Sequence, residues 1–304
     1  MPKKRVDTTT SRTAELMCMS RAMSCLEKDD CYKSDDCVAL LLLPGFFRLL
    51  VHIPLFRKVF TRQIAAKGTY EYVIARTKYI DAVFKEALAE GFGQVLIFGA
   101  GFDTRALRFG DEAGDTKIFE LDAPVTQNAK IGQFRKRGLS IPPSLVFVPI
   151  DFDKDSLPVR LAEAGFDQHK RSLFILEGLL MYLQPESVDE TFRTIQAFAG
   201  KGSEVVFDYV YASVLRRENL YYGEEKIFET VAKMGEAWHF GIEKGEIEGF
   251  LGTYGLRLVD QRNAEDLEEM YFSGRPGVTA CGEVTRNRVG LINGTHCLVK
   301  AMRV

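Results

Sequence analysis

The chain has 304 residues, of which 40 are Lys or Arg and 42 are Asp or Glu, for a formal net charge of −2. This length is sufficient for a full hydrophobic core and suits one α/β domain with an attached helical region. The near balance of charges excludes a strong overall field toward nucleic acid or an anionic membrane, so we expect small molecules or proteins as partners and no nucleic acid.

Four of the six cysteines lie near the start, at positions 18, 25, 31 and 37. Their spacing lacks the two-residue gap with which paired thiolates hold zinc, so we expect no metal site. The basic start MPKKR continues into VDTTTSRTAE without the apolar stretch of a secretory signal. We therefore predict reduced thiols and a cytoplasmic protein.

The segment from Val38 to Phe56 is apolar for most of its length. Pro44 and Gly45 interrupt it and charged or polar residues follow, whereas a membrane span needs about 20 apolar residues. We predict no transmembrane segment, but two short helices with one apolar face. Packing on the main domain or lining a pocket is the expected role of that face, and docking on a membrane surface is the alternative.

Past residue 70 the hydrophobic pattern is regular. YEYVIARTKYIDAVFKEALAEG has apolar residues at helical spacing and stops at Gly91. Five apolar strands alternate with helical segments after it, and two further strands are predicted near the end: QVLIFGAG, TKIFELD, SLVFVPIDF, SLFILEG, EVVFDYV, LRLVDQ and THCLVKAM. Such alternation predicts an α/β fold with a mostly parallel, seven-stranded sheet covered by helices.

The first strand runs into a glycine loop, Gly99-Ala100-Gly101, within VLIFGAGFDTRALRF. A strand, a GxG turn, a helix start and an acid about twenty residues later form a nucleotide-binding arrangement. The glycines let the backbone approach a ligand closely. Asp122, at the tip of the second strand, is the acid that can accept hydrogen bonds from ribose hydroxyls.

Charge separates the two cofactors that such a loop can hold. Asp103 follows the glycines, where it would repel the pyrophosphate of a dinucleotide by several kcal/mol at an effective dielectric near 20. S-adenosylmethionine carries an ammonium and a sulfonium and no phosphate, so the same carboxylate is attractive. Glu177, after the fourth strand, supports this choice because a buried acid needs a cationic partner. A helix cap or a salt bridge to arginine is the alternative role for Glu177.

Six ordered motifs then point to a family: SRTAE, ARTKYID, GAGFDTRA, FELD, PIDF and LEGLLMYL. Together they resemble the leucine carboxyl methyltransferase-like branch of the S-adenosylmethionine-dependent methyltransferases, and within it a bacterial subfamily of small-molecule O-methyltransferases. The resemblance runs from Ser11 to the end. It implies a class I methyltransferase with a Rossmann-like sheet domain over residues 91–304, a helical region and lid over 1–90, and a helical insertion at about 211–250 that covers the active site.

The resemblance also implies which residues hold the methionine end of the donor. Arg76 is similar to the arginine that pairs with the methionine carboxylate, a task that suits a planar guanidinium. Glu177 would face the methionine ammonium. Arg21 would add a second cation near the carboxylate, although a surface role for it is equally compatible with the sequence.

The remaining implied contacts run along the rest of the donor. Gly99 and Gly101 would lie against its methionine and ribose portions, and Asp122 would bind the ribose hydroxyls. Asp151 would accept a hydrogen bond from the adenine amino group, and Phe152 would pack against the ring.

The sequence offers no evident general base. A carboxylate acceptor needs none, whereas a hydroxyl acceptor usually needs one. None of the four histidines stands out as that base: His52, His169, His239 and His296. Transfer driven by proximity, to an acid or an activated phenol, is therefore the expected chemistry. Tyr182 and Tyr209 are placed to touch the acceptor, but either can equally be a packing residue.

The predicted function is methyl transfer from S-adenosylmethionine to a carboxylate or hydroxyl of a small, apolar or aromatic acceptor. Residues 38–68 and 211–250 are the expected cover, because neither belongs to the sheet pattern. Their aromatic side chains indicate the apolar or aromatic acceptor: Phe46, Phe47, Phe56, Phe60, Tyr221, Tyr222, Phe228 and Trp238. Three alternatives remain at this point. They are a methyltransferase acting on a protein's C-terminal carboxylate, an NAD-dependent oxidoreductase, and a non-catalytic protein that binds the donor.

Overall fold

A computed structural model of the chain describes residues 10–61, 65–234, 236–273, 277–278, 284–285 and 288–304. The basic start, Cys281 and residues 62–64 and 235 of the expected cover lie outside the described residues. The described part of the N-terminal region contains five helices: α1 (Arg12–Cys25), α2 (Ala39–Leu42), α3 (Gly45–Leu50), α4 (Pro54–Val59) and α5 (Thr69–Ala89). The Ser11 hydroxyl caps α1 by accepting a hydrogen bond from the Ala14 amide.

The apolar segment after residue 38 forms three short helices, so the prediction of two is wrong. Proline disfavours helical backbone in the residue before it. Leu43, before Pro44, and Ile53, before Pro54, are accordingly extended and separate α2, α3 and α4. Across the part of the chain that the structure describes, no helix combines the length and apolarity needed to span a bilayer.

The predicted seven-stranded, mostly parallel sheet is confirmed. Its strands are β1 (Gln94–Phe98), β2 (Lys117–Asp122), β3 (Leu145–Pro149), β4 (Ser172–Leu176), β5 (Glu204–Val210), β6 (Leu256–Arg262) and β9 (His296–Arg303), and a separate pair is formed by β7 (Gly277–Val278) and β8 (Val284–Thr285). The strand order of the sheet is β3-β2-β1-β4-β5-β9-β6, and β9 runs antiparallel to both of its neighbours. The order reverses between β1 and β4, which is the switch point where open α/β sheets bind ligands.

Helices cover both faces of this sheet. Alternate strand residues point to opposite faces, so Ile97 joins a core shared with α1 and α5, whereas Phe98 joins a second core shared with the helix Pro185–Phe198 and the segments after β5. The remaining helices are α6 (Arg105–Arg108), α7 (Pro124–Arg137), α8 (Leu157–Glu163), α9 (Pro185–Phe198), α10 (Ala212–Leu215), α11 (Ile227–Met234), α12 (Ile247–Thr253) and α13 (Ala264–Tyr271), with 3₁₀ turns at Leu180–Tyr182 and Glu224–Lys226.

The expectation of reduced thiols is wrong for one pair. Cys25, at the end of α1, and Cys37, before α2, form a disulfide with a Cα–Cα distance of 5.2 Å. The two residues meet because α1 packs against α2 and the loop between them folds back, with the Ser24 hydroxyl bonded to the Tyr32 carbonyl at 2.6 Å. Cys18, Cys31 and Cys297 are free thiols. The cytoplasmic location, which rested in part on reduced cysteines, stays a prediction.

Candidate active site

One cavity of about 820 Å³ lies along the carboxyl ends of the parallel strands, at the switch point of the sheet. The loops after β1, β3 and β4 line it, together with α1, α5 and the segment around Trp238. All nine residues predicted for the cofactor site are in its wall: Arg76, Gly99, Ala100, Gly101, Asp103, Asp122, Asp151, Phe152 and Glu177. The fold therefore brings together side chains that are up to 101 positions apart, as in the contact between Arg76 and Glu177.

The glycine loop has little room for side chains. Gly99 and Gly101 have φ angles of +60° and +51°, in the left-handed region that favours glycine. A Cβ atom on Gly101 would lie 3.1 Å from the Cβ of Ala14, and one on Gly99 would lie 3.0 Å from Leu179. The backbone conformation and the close packing of Ala14 and Leu179 therefore both favour glycine at these two positions of the cavity wall.

The Asp122 carboxylate is fixed by backbone amides. It accepts hydrogen bonds from the N–H groups of Gly101 and, at 2.6 Å, of Ala123. A carboxylate has about four lone-pair positions, so acceptor capacity remains for ligand hydroxyls. Burial raises the pKa of Asp122 to about 6, against the opposing effect of the two amide hydrogen bonds.

Asp151 and Phe152 follow β3 at the other end of the cavity. The Asp151 carboxylate accepts a hydrogen bond from the Asp153 amide at 3.1 Å and pairs with Lys154. The Phe152 ring stacks on Phe98, with centroids 6.0 Å apart. This corner offers an acceptor and an aromatic face side by side, which matches the needs of an adenine ring.

A network of buried charges borders the glycine loop. Arg105 is at its centre: its guanidinium contacts Glu177 at 2.8 Å, Asp81 at 2.8 Å, and Asp103. Burial alone would lower the pKa of Arg105, but the three adjacent carboxylates raise it well above its ordinary value. The network comprises four guanidinium groups (Arg21, Arg76, Arg105 and Arg108) and five carboxylates (Asp36, Asp81, Asp103, Glu177 and Asp208).

Arg76 bridges two strands of the sheet. Its Nε lies 3.1 Å from Glu177 and its Nη1 lies 2.8 Å from Asp208, on β5. Asp208 also accepts hydrogen bonds from the Tyr72 hydroxyl and the Gly178 amide. No hydrogen bond joins Nη2 of Arg76 to a described residue, so this nitrogen can still donate to a ligand carboxylate.

Glu177 remains ionised despite its burial. Burial alone would raise the pKa of this carboxyl group, but Arg105 and Arg76 lower it to about 2. Arg21 connects the same region to α1, because its guanidinium bonds to Asp36 at 2.8 Å and to the Phe102 carbonyl of the glycine loop at 2.7 Å. The N-terminal helix thus contributes directly to the cofactor loop.

These contacts modify the electrostatic argument from the sequence. Asp103 and Glu177 are not unpaired carboxylates, because both form salt bridges with Arg105. The salt-bridge alternative for Glu177 is therefore realised. Counted as ionised groups, the network still carries one excess negative charge. S-adenosylmethionine, with a sulfonium, an ammonium and a carboxylate, carries one net positive charge that complements this excess, whereas a pyrophosphate would add negative charge to it.

Sequence reasoning missed three residues of this region: Arg105, Asp208 and His296. Arg105 and Asp208 had a signal, since each is a charged residue within or beside an apolar strand motif, GAGFDTRA and EVVFDYV. His296 has no such signal, because it lies within the predicted strand THCLVKAM. That strand is β9, which runs antiparallel to β5 and pairs His296 with Val210. Its first residue therefore reaches the same edge of the sheet as the ends of the parallel strands.

His296 is buried, stacks on Tyr72 with centroids 4.4 Å apart, and lines the cavity. Its Nδ1 lies 2.8 Å from the Thr295 hydroxyl, and that hydroxyl donates its hydrogen to the Asn293 side-chain carbonyl. Nδ1 must therefore carry the proton, which leaves a lone pair on Nε2. Burial lowers the pKa of His296 to about 4, so the ring is neutral at pH 7.

The predicted aromatic cover reaches the cavity at only two of its eight positions, Phe60 and Trp238. Several other cover residues in the cavity wall are aliphatic, among them Ala66, Ile227 and Val231. The expectation of a mainly aromatic cover is therefore wrong for most of the rings named.

The two tyrosines that the sequence suggested as acceptor contacts differ in position. Tyr182 lines the cavity, whereas Tyr209 lies within β5 among core residues, which is the packing role considered for it. His239 also lines the cavity, and its backbone amide donates to the Met181 carbonyl at 2.7 Å. This contact anchors the cover segment to the 3₁₀ turn that follows β4.

The sheet order, the glycine loop and the charge of the cavity are those of the S-adenosylmethionine-dependent methyltransferases. A comparison with family models gives the same class, since the leucine carboxyl methyltransferase model matches residues 14–196. The chain belongs to the leucine carboxyl methyltransferase family. S-adenosylmethionine is therefore the cofactor that this site has to accommodate, and the NAD-dependent alternative falls away.

Curated relatives agree with this assignment. YktD of Bacillus subtilis, assigned by its name to the S-adenosylmethionine-dependent methyltransferases, is 29% identical over 202 residues, which cover 66% of this chain and 66% of YktD. A protein of Mycolicibacterium smegmatis with the same class name is 30% identical over 223 residues, which cover 72% of each chain. The match thus spans just under two thirds of the length of the first relative and somewhat more of the second.

Solved structures resemble the whole chain. A protein from Thermobifida fusca, named as a methyltransferase, has a TM-score of 0.59 at 14% identity and covers 99% of this chain and 98% of its own. A DUF574 family protein from Streptomyces avermitilis has the same TM-score and identity and covers 99% and 100%. At this identity the two structures show the fold alone, and they support the class I methyltransferase architecture predicted from the sequence.

Proposed function

We propose that the protein methylates an oxygen atom of a small, largely apolar or aromatic acceptor. The observation that carries this proposal is the composition of the cavity beyond the charged network. Apolar and aromatic side chains from separate parts of the fold line that region: Phe60, Tyr70, Val73, Met181, Val231 and Trp238. Pockets of this kind bind apolar ligands and orient them through a few polar groups.

Tyr70 supplies one such polar group. Its side chain is buried in the cavity wall, and its hydroxyl has no hydrogen-bond partner among the described residues. A buried hydroxyl without a partner costs about 1–3 kcal/mol. Burial raises the pKa of Tyr70 above its ordinary value, so the phenol keeps its proton and can donate it to an oxygen of the acceptor.

His296 supplies the second polar group and favours a hydroxyl acceptor over a carboxylate. The Nε2 lone pair has no partner among the residues that the structure describes, and the ring lies in the cavity wall. A hydroxyl becomes a better nucleophile when a neutral imidazole accepts its proton. We assign His296 this role as general base, which the sequence alone did not indicate.

The other residues of the cavity bind and orient. Arg76 and Glu177 would hold the carboxylate and ammonium of the methionine end, Asp122 the ribose hydroxyls, and Asp151 with Phe152 the adenine. Bound S-adenosylmethionine supplies an electrophilic methyl group. The apolar wall of the cavity excludes water and holds the acceptor oxygen in line with that group.

The family name provides the second candidate, transfer to a carboxylate. A carboxylate acceptor is already ionised at neutral pH and would leave His296 without a catalytic task. The C-terminal carboxylate of a protein is one such acceptor, and it would have to enter the cavity as an extended chain end.

The decisive experiment measures S-adenosylhomocysteine release from purified protein with three sets of acceptors: small phenols and alcohols, small apolar carboxylic acids, and peptides with a free C-terminal carboxylate. We expect turnover with the first set. Tyr70→Phe should raise KM for the acceptor, whereas Tyr222→Phe, at an exposed tyrosine, should leave it unchanged. Turnover confined to the peptides would refute the small-acceptor proposal.

Donor binding is tested separately by calorimetry. We expect S-adenosylhomocysteine to bind and NAD not to bind. Binding of the donor product without turnover of any acceptor would leave a protein that only senses the donor.

A further inference from the structure

The surface formed by residues 44–58, which contains α3 and α4, carries an unusual amount of exposed apolar area. Phe46, Leu49 and Leu55 are 69%, 72% and 69% exposed, and Phe47 and Ile53 are each more than a third exposed. Isolated apolar side chains are normal on protein surfaces, but a contiguous group marks a binding face. These five residues all lie between positions 46 and 55.

The local fold explains why these side chains point outward. Val51 is fully buried between α3 and α4, and Leu43 and Phe60 are buried on either side of the pair. These anchors bind the segment to the domain and satisfy its packing. The expectation that the apolar face packs on the domain or lines a pocket therefore holds for residues such as Leu42 and Val51 but is wrong for the five exposed ones.

The same part of the chain is free of acidic residues. Between Asp36 and Glu71 there are five of the chain's 40 Lys and Arg residues and none of its 42 Asp and Glu residues. Within the surface, Lys58 is exposed and Arg48 is half-buried, whereas Arg57 is engaged by Glu27 at 3.6 Å. Although the net charge of the whole chain is −2, the segment between Asp36 and Glu71 therefore has a local excess of positive charge.

We propose that the surface formed by residues 44–58 docks the protein on an anionic lipid bilayer. Apolar side chains flanked by basic ones, on helices too short to span, are the features of segments that lie in the interface of a membrane. Anionic headgroups attract each nearby Lys or Arg, while the apolar side chains enter the acyl boundary. This proposal does not depend on the proposed function.

A second copy of the chain fits this surface less well. A twofold interface places the same patch on both partners, so the basic residues of both copies would share one interface to which residues 44–58 contribute no acidic side chain. Phe60 and Ala66, which follow α4 in the chain, line the cavity. Docking would therefore bring one wall of the cavity close to the lipid.

Vesicle sedimentation of the full-length protein tests the proposal. Vesicles of phosphatidylcholine alone are compared with vesicles that contain about one third phosphatidylglycerol. We expect binding to the anionic vesicles that weakens as salt is added. Leu49→Ser/Leu55→Ser should weaken it about tenfold or more, because each leucine loses its burial in lipid. Ile141→Ser/Val159→Ser, which alters two exposed apolar residues elsewhere, should leave it unchanged.

The charge component has its own variant. Arg48→Glu/Lys58→Glu should reduce binding to anionic vesicles, with thermal unfolding and S-adenosylhomocysteine affinity as checks that the protein is intact. Failure to sediment with anionic vesicles overturns the proposal, as does equal binding to neutral ones. Analytical ultracentrifugation tests whether a second copy of the chain occupies the surface instead. If the wild type is a dimer and Leu49→Ser/Leu55→Ser is a monomer, the surface is a dimer interface.

Discussion

Nη1 of Arg105 lies 2.8 Å from Oε2 of Glu177, and both side chains are almost fully removed from water. Arg105 begins α6, directly after the glycine loop, whereas Glu177 follows β4. The pair therefore spans the switch point of the sheet and connects the two loops that border the methionine end of the cavity. Through Asp81, the same guanidinium also reaches α5.

Loss of Arg105 should destabilise the fold strongly. Arg105→Ala leaves carboxylates buried without their partner, and breaking a buried pair in this way costs about 3–5 kcal/mol. Denaturant unfolding measures the change. Arg160→Ala removes an exposed ion pair and should leave the unfolding midpoint nearly unchanged. Similar midpoints for the two variants would mean that the network contributes little to stability.

Asp122 should make donor binding depend on pH. With the pKa of Asp122 raised to about 6 by burial, the carboxylate is mostly ionised above that pH and becomes protonated below it. The ionised form accepts hydrogen bonds from ribose hydroxyls best, so the affinity for S-adenosylhomocysteine should be constant well above this pKa. Below it the affinity should fall, by at most about tenfold per pH unit.

The matched variant for this prediction is Asp122→Asn. Calorimetry near neutral pH should show affinity weakened by about 1–3 kcal/mol, and the inflection at the pKa of the carboxyl group should be absent. An inflection that persists in the variant would assign the titration to another group, such as Glu120, whose pKa burial raises to about 7.

The sequence was sufficient to predict the sheet and the positions of the cofactor loop, because both depend on local patterns. Apolar runs mark the strands, and an acid at the end of TKIFELD is a local feature that places Asp122 at the carboxyl edge. The pairing of the charged residues is a different matter. Arg76 and Asp208 are 132 positions apart, and no periodicity relates them, so which acids face a ligand and which face arginine is decided by the tertiary fold.

His296 illustrates the same limit. A histidine at the start of a C-terminal strand has no local signal of function, and its place beside the cavity follows from the reversed direction of β9. The prediction of an aromatic cover was wrong for a related reason. Composition indicates that a segment is apolar, but not which face of it turns inward, and Phe46 and Phe47 turn outward.

The Cys25–Cys37 disulfide should stabilise the N-terminal region. It closes a loop across a sequence separation of 12, and the chain-entropy model gives about 3 kcal/mol for a loop of this length. Cys25→Ser/Cys37→Ser should lower the free energy of unfolding by about that amount, as should reduction with dithiothreitol. Cys31→Ser, at a free thiol, is the control. Insensitivity of the wild-type midpoint to reductant would show that the bond does not stabilise the fold.

His296→Gln should separate acceptor chemistry from donor binding. Loss of a general base lowers kcat by about a hundredfold or more, and we expect this loss with hydroxyl acceptors only. A carboxylate acceptor needs no base, so its kcat should change little, and the affinity for S-adenosylhomocysteine should stay the same. His239→Gln, at the other histidine of the cavity wall, is the matched control and should retain activity.

The pH profile gives an independent readout of the same group. Because burial lowers the pKa of His296 to about 4, the imidazole stays neutral and able to accept a proton well below pH 7. The rate with a hydroxyl acceptor at saturating donor should therefore stay level down to about pH 5, whereas a base with the ordinary histidine pKa would be half protonated at about pH 6.5. If the wild type loses half of its rate near that ordinary pKa and His296→Gln shows no such loss, the result contradicts a buried, neutral His296 ring. If His296→Gln shows the same loss, the base is a different residue.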